Sequence, residues 1–154
     1  MILAIGSDHG GFALKEEIKQ LLVKKGVEFR DFGCYDTTSC DYPVIGRQVG
    51  EAVASGQYDR GLLFCGTGIG ISIAANKVDG IRAACCSDCF SAKYTRLHND
   101  ANILCMGGRV VGPGLAGQMV ELFLETPFEG GRHQRRIDLI TQIEADRTTS
   151  DAHA

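Results

Sequence analysis

The chain has 154 residues, 44% of them hydrophobic, and a formal charge of -3 at pH 7, which is the size of one globular domain burying roughly 70% of its unfolded surface. The negative balance argues against a general nucleic-acid binder, and no apolar run approaches the roughly 20 residues of a membrane span. The start, Met1-Ile2-Leu3-Ala4-Ile5, lacks the basic and long apolar regions of a signal peptide, so a cytoplasmic protein with no nucleic-acid or membrane partner is expected. Cysteines at 34, 40, 65, 85, 86, 89 and 105 form an odd set, several within apolar runs. That pattern suits reduced thiols used as small hydrophobes and predicts no disulfide framework.

Strand-like and helix-like segments alternate with little between them. Ile2 to Gly6 reads as a buried strand, followed after Gly10 by a helix with apolar residues at 14, 18, 21 and 22 that Gly26 ends. Val27 to Phe32 alternates as a second strand. Pro43 at a first helical position opens a helix carrying Ile45, Val49, Ala52 and Val53 on one face, ended by Gly56. Residues 60 to 65 form a third strand and are followed by a helix after Gly70. A strand over 81 to 86 precedes a helix capped near Ser87 or Asp88, with Phe90, Tyr94 and Leu97 predicted inward. A strand over 102 to 106 then leads to a helix after Pro113 with the stripe Leu115, Met119, Leu122 and Phe123. The last helix is predicted from about Arg132 to Asp146 with Ile140 and Ile143, which makes residues 1–146 one domain and leaves 147–154 as a frayed polar tail.

Five strands separated by helices imply parallel βαβ units, hence an open α/β sheet with helices on both faces. Ligands bind such sheets outside the carboxyl ends of the strands. The unusual residues fall there: Ser7-Asp8-His9-Gly10-Gly11 after the first strand, Cys65 to Gly70 after the third, and Gly107-Gly108-Arg109 after the fifth. The glycines at 66, 68 and 70 let backbone N–H groups approach a ligand, and a helix starting there favours negative charge. A thiolate on Cys65 and an anion beside it would both be stabilised, although the same cysteine would also serve as a buried structural thiol. The dinucleotide version of such a turn normally follows the first strand, so a small phosphorylated ligand fits better than a nicotinamide. Asp8 would face that ligand or cap the first helix. His98, in His98-Asn99-Asp100, would donate a proton or simply favour the helix C-terminus. Arg132, Arg135 and Arg136 open the last helix, the end where cations are disfavoured, and Arg132 and Arg136 share a face suited to one phosphate. Arg109 is a further phosphate candidate. The pair Cys86 and Cys89 has Cys-x-x-Cys spacing but no second ligand pair near it, which favours a structural reading over zinc or redox chemistry.

These residues in this order resemble the type B ribose-5-phosphate isomerases and their allose- and galactose-6-phosphate relatives. The carriers are Ser7-Asp8-His9-Gly10-Gly11-Phe12, Asp41-Tyr42-Pro43, Cys65 to Lys77, Gly80-Ile81-Arg82-Ala83, His98 to Asn102, Gly108-Arg109-Val110 and Gly130-Gly131-Arg132-His133, spanning Ile2 to about Glu144. The resemblance implies a three-layer Rossmann-like fold with a five-stranded parallel sheet, no cofactor, no metal, and a homodimer or tetramer whose active sites draw on both subunits. It implies isomerisation of D-ribose 5-phosphate to D-ribulose 5-phosphate, with a six-carbon phosphosugar or a binding-only module as alternatives. By that pattern Cys65 would move a proton between carbons 1 and 2, and His98 would open the sugar ring with Asp8 assisting. Backbone amides of Gly66, Thr67, Gly68, Ile69 and Gly70 would hold the enediolate oxygen. Thr67, Asn99 and Tyr42 would contact the sugar, and His9, Arg109, Arg132 and Arg136 its hydroxyls or phosphate. Some members use a glutamate in the following helix as base; Ile71 to Ala75 is uncharged here, which groups this chain with the cysteine users.

Overall fold

The computed structural model describes residues 1–151, with side chains through 147. Five strands, β1 (Ile2–Ser7), β2 (Glu28–Asp31), β3 (Arg60–Cys65), β4 (Ala83–Cys85) and β5 (Ile103–Gly107), alternate with α1 (Phe12–Lys24), α2 (Tyr42–Ala54), α3 (Ile69–Ala75) and α4 (Cys89–Asn99), and α5 (Pro113–Glu125) and α6 (Arg132–Asp151) follow. All strand pairs are parallel, in the order β2-β1-β3-β5-β4. Among the described residues no helix is long and apolar enough to cross a membrane.

The central strands are apolar on both sides because both faces are covered. Leu62, Phe64, Leu104 and Met106 pack under α1, α4 and α5 against Leu14, Ile18, Leu22, Met119 and Phe123. Leu63, Cys65, Ile103 and Cys105 turn the opposite way, against Val49 and Val53 of α2 and Ile71 and Ala75 of α3. Each large side chain so buried contributes about 1.5–3 kcal/mol. Pro43 does sit in the first turn of α2, and Gly26 and Gly56 follow α1 and α2 at φ 67° and 77°, the left-handed geometry that stops a helix.

Several expectations are corrected. In α4 the buried residues are Ala92 and Arg96, while Phe90 is exposed and stacks on Tyr94. The Asp88 cap, which accepts the Ser91 N–H at 2.7 Å, sets the phase of this helix, and Arg96 can go inward because Ala101 O accepts its Nη1 at 2.6 Å and Asp100 lies at 2.8 Å. In α5, Ala116 and Val120 join Met119 and Phe123 in the core and Leu115 faces out. Helix α6 runs from Arg132 to Asp151, past the Asp146 end read from its pattern, with Arg147 pairing with Asp79; residues 152–154 lie outside the described residues. The Cys34 and Cys40 sulfurs are brought into contact with each other in the loop after β2. Spacing in sequence carries no sign of that contact, which depends on how the loop after β2 folds back.

That loop is anchored by Lys15, a fully buried cation on α1. Its Nζ lies 2.8 Å from both carboxylate oxygens of Asp31 and 2.5 Å from Cys34 O. Burial pushes the Asp31 carboxyl up, but hydrogen bonds from Lys15, Lys19 and the Gly33 N–H outweigh it and hold the group below the usual carboxylate range.

Candidate active site

The carboxyl ends of β1, β3 and β5 are adjacent, and their loops interlock by backbone contact. Phe64 O accepts the Asp8 N–H at 3.1 Å, Cys65 O accepts that of Gly108 at 2.8 Å, and Gly66 O that of Arg109 at 3.1 Å. Only glycine fits at the crossings: a Cβ at Gly108 would lie 2.7 Å from Gly10 O, and one at Gly107 2.7 Å from the Thr67 backbone.

Above these loops is a cavity of about 380 Å³ lined by Asp8, His9, Gly10, Tyr42, Cys65, Gly66, Thr67, Ile69, Gly70 and Arg109. The Cys65 sulfur is buried and accepts the Gly68 N–H at 3.0 Å. Gly68, at φ 80°, is the residue before α3, so the turn delivers this donor to the sulfur and then starts the helix. The Gly68 amide is thereby committed to the sulfur, and the Ile69 N–H donates to Thr67 Oγ1 at 3.3 Å. Asp8 is buried with Oδ1 accepting the Gly11 N–H at 3.0 Å, so it caps the turn into α1 and also lines the cavity. His9 Nδ1 accepts the Cys40 N–H at 3.3 Å, which places the proton of the neutral ring on Nε2. Tyr42 crosses the turn so closely that a Cβ on Gly70 would meet its Cζ at 2.7 Å, and Arg109 lies over Gly66.

The remaining candidates are elsewhere. His98, near the end of α4, stacks on His133 of α6 with centroids 4.1 Å apart. Glu129 Oε2 lies 3.6 Å from His98 Nε2 and 3.4 Å from His133 Nε2. Burial, then His98 and Arg132, lower the His133 pKa against the pull of Glu129. Arg132 Nε donates to His133 Nε2 at 3.4 Å, and Arg136 is one helical turn on. Asn99 lines a different cavity, with Arg82 and Ile140. Within one chain, then, Asp8, His9, Tyr42, Cys65 to Gly70 and Arg109 come together, and His98, Asn99, Arg132 and Arg136 do not line the same cavity.

Four residues given no part in the site above gain a definite setting from the geometry. Cys85 borders the glycine turn, donating its thiol to Thr67 O at 3.7 Å, and burial followed by the nearby Cys65 raises its pKa. Burial also pushes the Cys86 thiol up to about 11, in keeping with a structural cysteine rather than a redox one. His133 and Glu129 flank His98; in the sequence His133 stands in the motif Gly130-Gly131-Arg132-His133, whose two glycines take positive φ, and Glu129 carries no signal beyond its place before them.

The ribose/galactose isomerase family model matches residues 3–140. Ribose-5-phosphate isomerase B of Escherichia coli is 52% identical over 145 residues, covering 94% of this chain and 97% of that protein. The structure of ribose-5-phosphate isomerase B from Clostridium thermocellum superposes with a TM-score of 0.94 at 54% identity, covering 96% of this chain and 99% of that one. The Mycoplasma genitalium ribose-5-phosphate isomerase B with bound ribulose 5-phosphate gives a TM-score of 0.89 at 40% identity over 94% of this chain and 96% of its own. At 40% identity the relatives also include a galactose-6-phosphate isomerase subunit of Clostridium acetobutylicum and a D-erythrulose-4-phosphate isomerase of Pectobacterium atrosepticum. With its sheet, its glycine turn behind a buried cysteine and nearly its whole length matched, the chain belongs to the ribose/galactose isomerase family.

Proposed function

We propose that this protein is an aldose–ketose isomerase that interconverts D-ribose 5-phosphate and D-ribulose 5-phosphate through a cis-enediolate, with Cys65 as the base. The observation that carries the reading is the Cys65 sulfur, buried at the cavity wall with the Gly68 N–H pointed at it. A thiolate held by an N–H donor, in a site large enough for a phosphosugar, can take the proton from C2 of the open aldose to give the enediolate and, once the hydroxyl proton has passed from O2 to O1, return it to C1. Charge then builds on the substrate oxygen beside the turn. Amides already directed at that oxygen stabilise it without reorganising, each donor being worth about 3–4 kcal/mol. The phosphate is far from the reacting carbons, and its binding by His9 and the arginines holds the carbon acid against the sulfur.

His98 opens the sugar ring in this scheme, with Asp8 near the ring oxygen and Thr67, Asn99 and Tyr42 on the hydroxyls. Since His98, Asn99, Arg132 and Arg136 do not line the Cys65 cavity of their own chain, they act in the cavity of a second copy, and the working unit is a homodimer with shared sites. The two halves are chemically complementary: one carries the base and the enediolate amides, the other an imidazole and two guanidinium groups.

The test is exchange of solvent deuterium into ribose 5-phosphate, allose 6-phosphate, galactose 6-phosphate and erythrulose 4-phosphate, with wild type and Cys65→Ala. Exchange fastest with ribose 5-phosphate, abolished in Cys65→Ala while ligand binding persists, is the expected result. Preference for a six- or four-carbon sugar moves the substrate assignment, and exchange that survives Cys65→Ala removes this cysteine as base.

A further inference from the structure

The cluster around His98 has a property that phosphosugar isomerisation does not use: it holds two imidazole nitrogens and a carboxylate oxygen close together. His98, Glu129 and His133 each offer one ligand atom, and these atoms lie within 4.8 Å of one another. Three features hold them there. The Glu129 N–H donates to Leu97 O at 3.0 Å, tying the segment before α6 to the residue beside His98. Gly130 and Gly131, at φ 70° and 56°, turn the chain so that the His133 N–H donates to Gly130 O at 3.0 Å. The two rings then stack with planes 10° apart, each Nε2 within 3.6 Å of Glu129 Oε2.

We propose that His98, Glu129 and His133 form a binding site for a divalent transition-metal ion of the zinc class, and that the bound ion withdraws His98 from the sugar. Bonds of about 2.0–2.2 Å at a tetrahedral centre set ligand atoms roughly 3.4 Å apart. The two carboxylate-to-imidazole separations, 3.6 and 3.4 Å, already match that spacing. A metal lies in the plane of an imidazole that binds it, so the parallel stack opens on binding: His98 and Glu129, whose side chains are 35% and 57% exposed, rotate toward a buried His133 and close the longer gap. Two imidazoles and one carboxylate select zinc, cobalt or nickel over magnesium or calcium, and the fourth position stays open to water. Arg132, now donating to His133 Nε2, is exposed and swings aside on metal binding. The binding claim stands on these three residues alone; the inhibitory claim rests on the proposed role of His98 in ring opening.

The experiment titrates Co2+ and Zn2+ into the purified full chain and into Glu129→Gln and His133→Asn. One Co2+ per chain is expected, with d–d absorption and no thiolate-to-cobalt charge-transfer band, which excludes the cysteines as ligands. Glu129→Gln alters an exposed side chain and leaves the fold intact; it should weaken binding by more than about tenfold, the least cost of disturbing even a metal's supporting shell. His133→Asn should remove binding. Absence of binding, a thiolate band, or an affinity unchanged in Glu129→Gln would overturn the site. Zn2+ should also slow wild-type turnover reversibly, EDTA restoring it, with inhibition of Glu129→Gln shifted to about tenfold higher Zn2+. Binding as expected with turnover unaffected would keep the metal site and overturn the role given to His98.

Discussion

Replacing Gly68 with alanine tests both the turn and the chemistry assigned to it. The residue sits at φ 80°, which costs an L side chain about 1–2 kcal/mol. A Cβ there would also lie 2.8 Å from the Met106 carbonyl carbon, 3.0 Å from Gly107 N and 3.0 Å from Cys85 Sγ. Two of these neighbours are backbone of a buried central strand and cannot rotate away, so overpacking adds about 1–3 kcal/mol, for a total of about 2–5 kcal/mol. Gly26→Ala is the control: it shares the left-handed backbone, φ 67°, but has no atom within 4 Å of the new Cβ, and only the first cost applies. Urea unfolding of the two variants at a common m value separates contact from strain. Turnover adds a second reading. The Gly68 N–H donates to Cys65 Sγ, and misplacing a charge-assisted donor worth about 1.5–3 kcal/mol should slow catalysis roughly 10- to 150-fold in the folded fraction, whereas Gly26→Ala should leave it unchanged. Equal stability of the two variants, together with wild-type turnover in Gly68→Ala, would refute the reasoning.

Asp31→Asn leaves Lys15 buried without its carboxylate and should destabilise the protein by about 3–5 kcal/mol in chemical denaturation. Because the folded Asp31 pKa is depressed, its contribution is complete above the unfolded carboxyl value of about 3.9 and is lost as pH falls through the lower folded value, so the wild type should lose its advantage over Asp31→Asn below about pH 4. Arg136→Ala should raise KM by about tenfold or more, the worth of one charged hydrogen bond to a phosphate, with kcat much less affected; unchanged kinetics would take Arg136 out of the phosphate site. On the proposed homodimer with shared sites, Cys65→Ala and His98→Asn, each inactive alone, should regain about a quarter of wild-type activity when refolded together in equal amounts, since half the dimers would be hybrids with one intact site of two. Failure to complement would place both residues in a site built by one chain.

Much of the fold follows from local signals. Pro43 in the first turn of α2, the glycines at 26 and 56 beyond α1 and α2, and Asp88 ahead of α4 act through backbone dihedrals and nearby hydrogen bonds, and all take the predicted positions. The expectations that failed depend on distant partners. Phe90 looked like core by spacing, yet the inward side of α4 is decided by Ala92 and by Arg96, whose guanidinium reaches the carbonyls of Ala101 and Thr126. Lys15, whose burial no nearby residue announces, is paired only when Asp31 and Cys34 O are brought over it.

By itself the sequence determined the alternation of strands and helices and the glycine turn behind Cys65, because positive φ, proline's fixed φ and apolar periodicity are properties of a residue and its near neighbours. Only the tertiary structure decided that β5 lies between β3 and β4. That order sets Arg109 over Gly66, and the packing of α6 on α4 sets His98 beside His133 and away from the Cys65 cavity of its own chain. Strand order is a choice among parallel arrangements that all satisfy the same local pattern, and it is settled by which long-range contacts bury the most surface while pairing every strand.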